Sequence, residues 1–195
     1  MSRTKKISDS RVLDMAFDVI SKEGFQSFTF EQVGKAVGLS PATLVKRFKN
    51  KKRLALLARN QKWEHNIGQI ESDRFKQLYA LQGIFDFLKI IAASVNSKRL
   101  GEHAIWLGTE ACHPSSKRKV AGYFEVTRGV FARLLNEAIS EKELSSEIEP
   151  KSFSITLEAL VQGSIFQFAF FYEGNIEIHL LSHFRIVLAP YIKKI

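Results

Sequence analysis

The chain has 195 residues, 45% of them hydrophobic and 25% charged, a composition that excludes a largely disordered protein. Its 11 glycines and 4 prolines are few, and together with the abundant helix-favouring residues they indicate an all-α protein. The net charge of +9 is confined to the start of the chain, because residues 1–62 carry 14 Lys and Arg against 5 Asp and Glu and the remainder carries 15 of each. A basic head on a neutral body favours phosphate binding over a merely solvated surface.

Cysteine content and hydropathy bear on the compartment. The single Cys112 excludes an intrachain disulfide and is compatible with the reducing cytoplasm. No apolar run follows the basic first residues, so we expect no signal peptide. The most apolar stretch, 159–172, contains glutamines and is shorter than the roughly 20 residues that span a bilayer. We therefore expect a cytoplasmic protein with no membrane partner.

The basic segment begins with two predicted helices. Apolar residues recur at helical spacing over 8–22, and Gly24 follows as a stop signal. The second helix begins after Thr29, where Gln32 completes a capping box. It ends at Gly38, which can adopt positive φ.

A third helix follows immediately and completes a helix-turn-helix pattern. Ser40 is its expected N-cap, Pro41 occupies the first helical position, and the helix ends near Phe48. Gly34 is small enough to let the second and third helices approach, and Leu44 can fill the angle between them. This spacing is also compatible with a plain αα-corner, but the basic context favours DNA binding.

Residues 11–56 resemble the N-terminal domain of the TetR family of bacterial transcriptional regulators. The landmarks that carry the resemblance are Ala16, Ile20, Gly24, Phe25, Thr29, Phe30, Val33, Gly38, Ser40, Thr43, Leu44, Phe48, Lys51 and Leu54. Val45 stands where the family usually has a Tyr that touches a DNA phosphate, which removes one backbone contact. Gly34 stands where the family usually has Ala, a change that is conservative in size.

The second and third helices are expected to contact double-stranded DNA. The candidate residues are Thr29, Ser40, Pro41, Ala42, Thr43, Val45, Lys46, Arg47, Lys49 and Lys51. Ala42, Thr43 and Lys46 are the candidates for base edges, since a hydroxyl, a methyl group and an ammonium group can each read a base in the major groove. The other polar and basic residues of the set are candidates for phosphate, which positions the protein without reading sequence. Asn50 is expected to cap a fourth helix over 51–70.

We predict a DNA-binding domain at 1–55 and a second helical domain at 56–195. Further helices are predicted near 74–95, 98–112, 115–142, 151–173 and 176–192. In the TetR family the second domain binds an effector and forms the dimer, so the resemblance implies a homodimer paired through the last two helices. The candidate interface residues are Leu157, Leu160, Val161, Phe168, Leu181, Phe184 and Leu188, whose stripes exceed what one neighbouring helix can bury.

The 16 phenylalanines suggest an apolar effector pocket, although aromatic stripes at helical spacing more often form plain core. The candidate pocket residues are Phe85, His103, Trp106, Tyr123, Phe124, Gln162, Phe166 and Phe170. Phe75 and Phe87 belong to the same aromatic set, and Glu110 and Gln167 are further polar groups near it. The effector is therefore expected to be largely apolar.

Little else in the sequence indicates chemistry. His179 and His183 lie four residues apart on one predicted helix, but no acidic or cysteine partner accompanies them, so a helix-face or interface role is favoured over a metal site. We predict no enzyme, no cofactor and no metal. The resemblance implies a homodimeric repressor that binds a palindromic operator and is released by a small effector. The alternative is a constitutive DNA-binding or partner-binding protein without an effector. A third hypothesis is a helical ligand carrier or enzyme in which the helix-turn-helix-like corner has no DNA-binding role.

Overall fold

The structure is a computed structural model that describes residues 7–95, 108, 111–171 and 173–193. Within these ranges the chain is all-α, as predicted, with no strand beyond one isolated antiparallel bridge between Leu144 and Ile192. The helices are α1 Asp9–Glu23, α2 Phe30–Val37, α3 Pro41–Phe48, α4 Lys51–Ile70, α5 Asp73–Lys76, α6 Ala80–Ser94, α7 Pro114–Ser140, α8 Pro150–Phe171 and α9 Ile176–Leu188, followed by the 3-10 turn Ala189–Tyr191. The predicted helix at 98–112 falls almost wholly outside the described residues.

The prediction of one helix over 74–95 is wrong, because the chain breaks between α5 and α6. Charged side chains of α7 stabilise the break. The Arg133 guanidinium donates to the carbonyls of Phe75 and Leu78, each at 2.9 Å. A carboxylate oxygen of Glu137 accepts the Ala80 N–H at 3.1 Å. The carbonyl groups at and after the end of α5, and the N–H at the start of α6, are therefore hydrogen-bonded by side chains of α7, which is distant in sequence.

Two hydrophobic clusters form the core of the described chain. The first joins α1 to α4 and consists of Val12, Ala16, Ile20, Phe28, Val33, Val37, Leu44, Phe48, Leu54, Ala55 and Ala58. The second joins α5 to α9 around Phe87, Phe131, Leu157 and Phe184. Helix α4 contributes to both, since Ala58 lies in the first cluster and Ile70 in the second. The first cluster thus extends past residue 55, where we placed the domain boundary.

Polar contacts connect α4 to a helix of each cluster. The Gln61 amide donates to the Ser10 carbonyl at 3.0 Å and to Asp14 Oδ1 at 2.6 Å, both on α1. One residue earlier, buried Asn60 accepts a hydrogen bond from Ser116 Oγ of α7 at 3.1 Å. Helix α4 is therefore held on one side by the N-terminal cluster and on another by the longest helix of the second cluster.

Helix α8 is longer than the apolar stretch 159–172 that stands out in the sequence. Among the described helices it alone is long and apolar enough to cross a membrane, with 22 residues and a mean hydropathy of 1.2. Leu157, Val161 and Ile165 are buried against neighbouring helices. In all, 39% of the helix's 18-residue apolar window is buried within the protein.

Candidate nucleic-acid interface and effector site

Helix α2 begins and ends at the predicted residues. Thr29 Oγ1 accepts the Gln32 N–H at 3.2 Å, and Gln32 Oε1 accepts the Thr29 N–H at 2.7 Å, which completes the capping box. Gly38 has φ 71° and ψ 33°, and its N–H bonds to the Gly34 carbonyl. This left-handed residue ends α2 and directs the chain into α3.

Helix α3 begins at Pro41 and is capped by Ser40, as predicted. Ser40 Oγ accepts the Thr43 N–H at 3.2 Å and lies 2.8 Å from Thr43 Oγ1. The Thr43 hydroxyl therefore already shares one hydrogen bond with the cap. A hydroxyl has one donor and two acceptor positions, so Thr43 retains capacity for a further partner.

Helix α2 approaches the turn and α3 more closely at Gly34 than the sequence suggested. A Cβ added at Gly34 would lie 2.4 Å from the Leu39 carbonyl oxygen and 3.7 Å from Leu44 Cδ1. The first distance is shorter than van der Waals contact with backbone allows, so alanine would require the turn to shift. The difference between alanine and Gly34 is therefore not conservative in size, contrary to what we expected from the sequence, because the turn leaves no room for a side chain at this position.

One face of α3 is open to solvent, whereas Leu44 and Phe48 are buried in the first cluster. The exposed candidates on and beside it are Pro41, Ala42, Thr43, Val45, Lys46 and Lys49. Lys52 and Arg53, at the start of α4, are exposed as well and were absent from our candidate set. Four of these side chains are cationic: Lys46, Lys49, Lys52 and Arg53.

Two predicted phosphate ligands have partners within the protein. Arg47 Nε donates to Asp9 Oδ1 at 2.7 Å, its Nη2 donates to the Ile7 carbonyl at 3.0 Å, and the side chain is half-buried. Lys51 Nζ donates to the Gln26 carbonyl at 2.8 Å. In this structure both cations hold α3 and α4 against the N-terminal segments, so a phosphate would have to compete for them.

Lys49, between α3 and α4, adopts an unusual backbone conformation. Its φ is 72° and its ψ is −59°, and the Asn50 N–H bonds to the Phe48 carbonyl at 2.9 Å across it. This is the positive-φ γ-turn, which is strained for a residue with a side chain. Asn50 then caps α4 by accepting the Arg53 N–H at 2.8 Å, as predicted. The turn leaves the Lys49 side chain exposed beside the α3 surface.

Comparison with known proteins identifies this arrangement of α1 to α4. Residues 12–58 match the family model described as "Bacterial regulatory proteins, tetR family". The N-terminal domain belongs to the TetR family. The resemblance inferred from the sequence is therefore confirmed. A comparison with curated protein sequences gives no significant match.

Solved structures extend the likeness to the whole fold. A protein of Saccharomonospora viridis assigned as a transcriptional regulator, in complex with choline, has a TM-score of 0.76 at 15% identity, covering 95% of this chain and 98% of its own. A TetR-family assignment from Mesorhizobium loti MAFF303099 has a TM-score of 0.68 at 16% identity, with coverages of 95% and 96%. The regulator FadR from Bacillus subtilis, in complex with stearoyl-CoA, has a TM-score of 0.60 at 15% identity, with coverages of 93% and 98%. The TetR fold thus spans nearly the entire chain.

The helical body behind the TetR domain contains an open cavity of about 290 Å³. Its lining residues are Lys62, His65, Asn66, Gln69, Ile70, Phe75, Phe87, Ile90, Ile91, Ser94 and Tyr123. Helix α4 supplies a mostly polar wall, and Phe75 and α6 supply an apolar one. Tyr123 packs on Trp63 with ring centroids 4.9 Å apart, and burial raises the pKa of its phenol, which keeps the hydroxyl protonated.

The structure distributes the predicted effector residues over several places. Phe75, Phe87 and Tyr123 line the cavity. Phe85, Phe124 and Gln162 are half-buried elsewhere, Gln167 is exposed, and Phe166 and Phe170 are exposed and pack on each other at 5.0 Å. His103, Trp106 and Glu110 lie outside the described residues. The polar lining from α4 was not predicted, because we assigned that helix only a linking role.

The predicted dimer residues are revised by their burial. Leu157, Val161, Phe168, Phe184 and Leu188 lie in the protein's own core, and Leu160 and Leu181 pack against it. The five core residues are therefore not available to a second copy, whereas Leu160 and Leu181 are partly exposed. Both helices are apolar around most of their circumference, so periodicity alone could not tell the inner stripe from the outer one. The outer face, which we call the α8–α9 face, consists of Ile155, Ala159, Gly163, Phe166, Phe170, Ile178, Ser182 and Ile186.

The histidine pair lies where α9 packs on α8. The rings of His179 and His183 are 4.2 Å apart, and His183 Nδ1 lies 2.8 Å from Ser164 Oγ. His179 is buried and also packs on Phe168. In the part of the chain that the structure describes, no third ligand joins them into a metal site.

Proposed function

We propose that this protein is a cytoplasmic transcriptional repressor that binds a palindromic operator as a homodimer and is released by a small effector. The observation that carries the proposal is the exposed basic surface on α3 of a TetR-family domain. Two structures of the same fold, bound to choline and to stearoyl-CoA, support the small effector, as does the cavity beside α4.

In this proposal α3 is the recognition helix. Ala42, Thr43 and Lys46 read base edges, and Lys46 donates to guanine acceptors in the major groove. Thr29, Ser40, Pro41 and Val45 border the same surface, and Lys49 and the start of α4 bind phosphate. Arg47 and Lys51 act chiefly by holding α3 and α4 in place, since both already have protein partners.

Selection of bound fragments from genomic DNA, followed by gel-shift titration, tests the DNA-binding role. Lys46→Ala and Thr43→Ala should each weaken operator binding by about 1–3 kcal/mol and relax specificity at one base position. Lys117→Ala is the matched control, because Lys117 is an exposed lysine of α7 outside the TetR domain. Unchanged binding by both α3 variants would show that this helix is not the reader.

The α8–α9 face is our candidate for the dimer interface. Ala159, Gly163 and Ser182 are small enough to let a second copy approach closely, and exposed apolar residues such as Phe166 and Ile186 flank them. A symmetric pair of these faces would form a four-helix contact. Dimerisation would set the two recognition helices about 34 Å apart, as successive major grooves require.

Sedimentation equilibrium tests the dimer. Ile186→Lys should convert the protein to a monomer, because a charge would be buried against the partner. Ile192→Lys is the control, since Ile192 is also an exposed isoleucine but lies beyond α9. A wild-type monomer at micromolar concentration, or equal behaviour of the two variants, would refute the interface.

A further inference from the structure

We propose that the cavity beside α4 binds a medium-sized amphipathic anion, whose charged group meets Lys62 and His65 and whose apolar part lies against α6 and Phe75. The inference deepens the proposed function by naming the chemical class of the effector. It rests on that function only for the consequence of binding, since the binding itself can be measured without DNA.

The charges of the lining select an anion. Among the described lining residues Lys62 carries a full positive charge and no residue is acidic. The nearest acid along α4, Glu64, is ion-paired with Lys119 of α7 and does not line the cavity. Within the described lining, a ligand ammonium would therefore meet a like charge and no counter-ion, whereas a carboxylate would gain a charge-assisted hydrogen bond.

Neutral donors reinforce the preference. Asn66 and Gln69 line the cavity with amide groups that can each donate to an oxygen anion, and the His65 imidazole adds a ring N–H. All three groups stand on α4 within two turns of Lys62. The acceptor groups of a ligand should therefore gather at the α4 wall.

The opposite wall of the cavity and the cavity volume determine the size of the ligand's apolar part. Phe75 and Phe87 meet edge-to-face with centroids 5.6 Å apart, and Ile70, Ile90 and Ile91 extend the apolar surface. A cavity of 150 Å³ holds benzene, so about 290 Å³ accommodates roughly a dozen non-hydrogen atoms. An acid with a chain or ring system of that size fits within the cavity.

Lys62 also connects the cavity to the TetR domain. Its Nζ lies 5.7 Å from the centre of the Phe17 ring on α1. The preceding residue, Gln61, holds α1 through two hydrogen bonds. An anion attracts an ammonium group more strongly than the face of an aromatic ring does. An anion bound in the cavity would therefore weaken the contact between Lys62 and Phe17 of α1. This is the route by which the ligand would alter the placement of the recognition helix.

Isothermal titration of the full chain with three probes tests the class of ligand: decanoate, decanol and decyltrimethylammonium. Decanoate should bind at least tenfold more tightly than decanol, and the cation should bind more weakly than either. Lys62→Met should lower decanoate affinity about tenfold and leave decanol binding within twofold, while Lys62→Arg retains most of the preference. Lys117→Met changes the net charge equally and should have no effect.

Retained decanol binding would show that the Lys62→Met variant is folded. If that variant does not fold, the Lys62→Arg variant tests the same site. Equal affinity for decanoate and decanol, tightest binding of the cation, or equal behaviour of the Lys62→Met and Lys117→Met variants would each overturn the inference. A chain that selects decanoate through Lys62 but binds no DNA would keep this inference and refute the proposed function. A chain that binds its operator without preferring decanoate would do the reverse.

Discussion

At the scale of the residue, Lys49 links α3 to α4 with a backbone conformation that suits glycine. Lys49→Gly should raise the free energy of unfolding by about 1 kcal/mol relative to Lys49→Ala, because glycine adopts positive φ without a Cβ penalty. Urea denaturation of the two variants measures the difference. Both variants lose the same charge, so equal stabilities would mean that the turn is not strained.

A second residue-scale prediction concerns pH. Burial, and then the neighbouring His183, lower the pKa of His179. At a pH below about 6.5, the ordinary pKa of histidine, His179 binds a proton in the unfolded chain but not in the folded one. The free energy of unfolding therefore falls as the pH drops below about 6.5, and it levels off below the pKa of the folded state. The melting temperature of the wild type should therefore decrease between pH 7.5 and 6.0.

The matched variants for this prediction are His179→Leu and His65→Leu. The first removes the buried titrating group and should flatten the pH dependence. The second removes an exposed histidine and should leave the decrease as it is. A decrease that persists in His179→Leu would assign it to another group.

Local signals in the sequence predicted the caps well, and distant partners explain what was missed. Thr29, Gly38 and Ser40 act through neighbours three or four residues away, so their roles are written in the local pattern. The partner of Arg47, Asp9, is 38 residues earlier, and that of Lys51 is 25 residues earlier. Only the packed helices bring these groups together, which is why both cations were predicted as phosphate ligands alone.

At the scale of the element, α6 and α7 approach each other closely at a glycine. A Cβ at Gly83 would lie 2.6 Å from Leu134 Cδ2 and 3.1 Å from the Leu78 carbonyl carbon. Gly83→Ala should therefore lower the free energy of unfolding by about 1–3 kcal/mol through overpacking. Thermal or urea denaturation measures the change.

Gly129 of α7 is the control for this substitution. It is exposed, and an added Cβ would meet no atom within 4 Å. Gly129→Ala should stabilise the protein by about 0.5–1 kcal/mol, since alanine is the better helix former. Destabilisation of similar size in both variants would contradict a specific close approach at Gly83.

Helix boundaries followed from local sequence except where another helix supplies the caps. The 74–95 segment has good helical periodicity, and its interruption depends on Arg133 and Glu137 of α7. Likewise, α8 is apolar on several faces, and Glu158 is buried beside Arg128 with their atoms 3.0 Å apart. The burial of an acid on such a helix depends on a partner that no local pattern contains.

At the scale of the whole molecule, the concentration of charge in the first 62 residues predicts strongly salt-dependent DNA binding. Lys49→Ala should reduce the slope of log affinity against log salt concentration by about one, since one phosphate contact is lost. Gel-shift titrations between 50 and 200 mM salt measure the slope. Lys117→Ala removes an equal charge from the body, and a similar loss of slope there would point to a general charge effect.

Helix α4 is shared by both hydrophobic clusters, and this ties the melting of one to the other. Unravelling its first half exposes Leu54 and Ala58 of one cluster and breaks the Asn60–Ser116 bond to the other, and unravelling its second half releases Ile70. The protein should consequently melt in one calorimetric transition whose van't Hoff and calorimetric enthalpies agree. A fragment cut at residue 55 would lose Ala58 and the Gln61 bonds to α1, so the packing of the N-terminal helices depends on residues beyond that boundary.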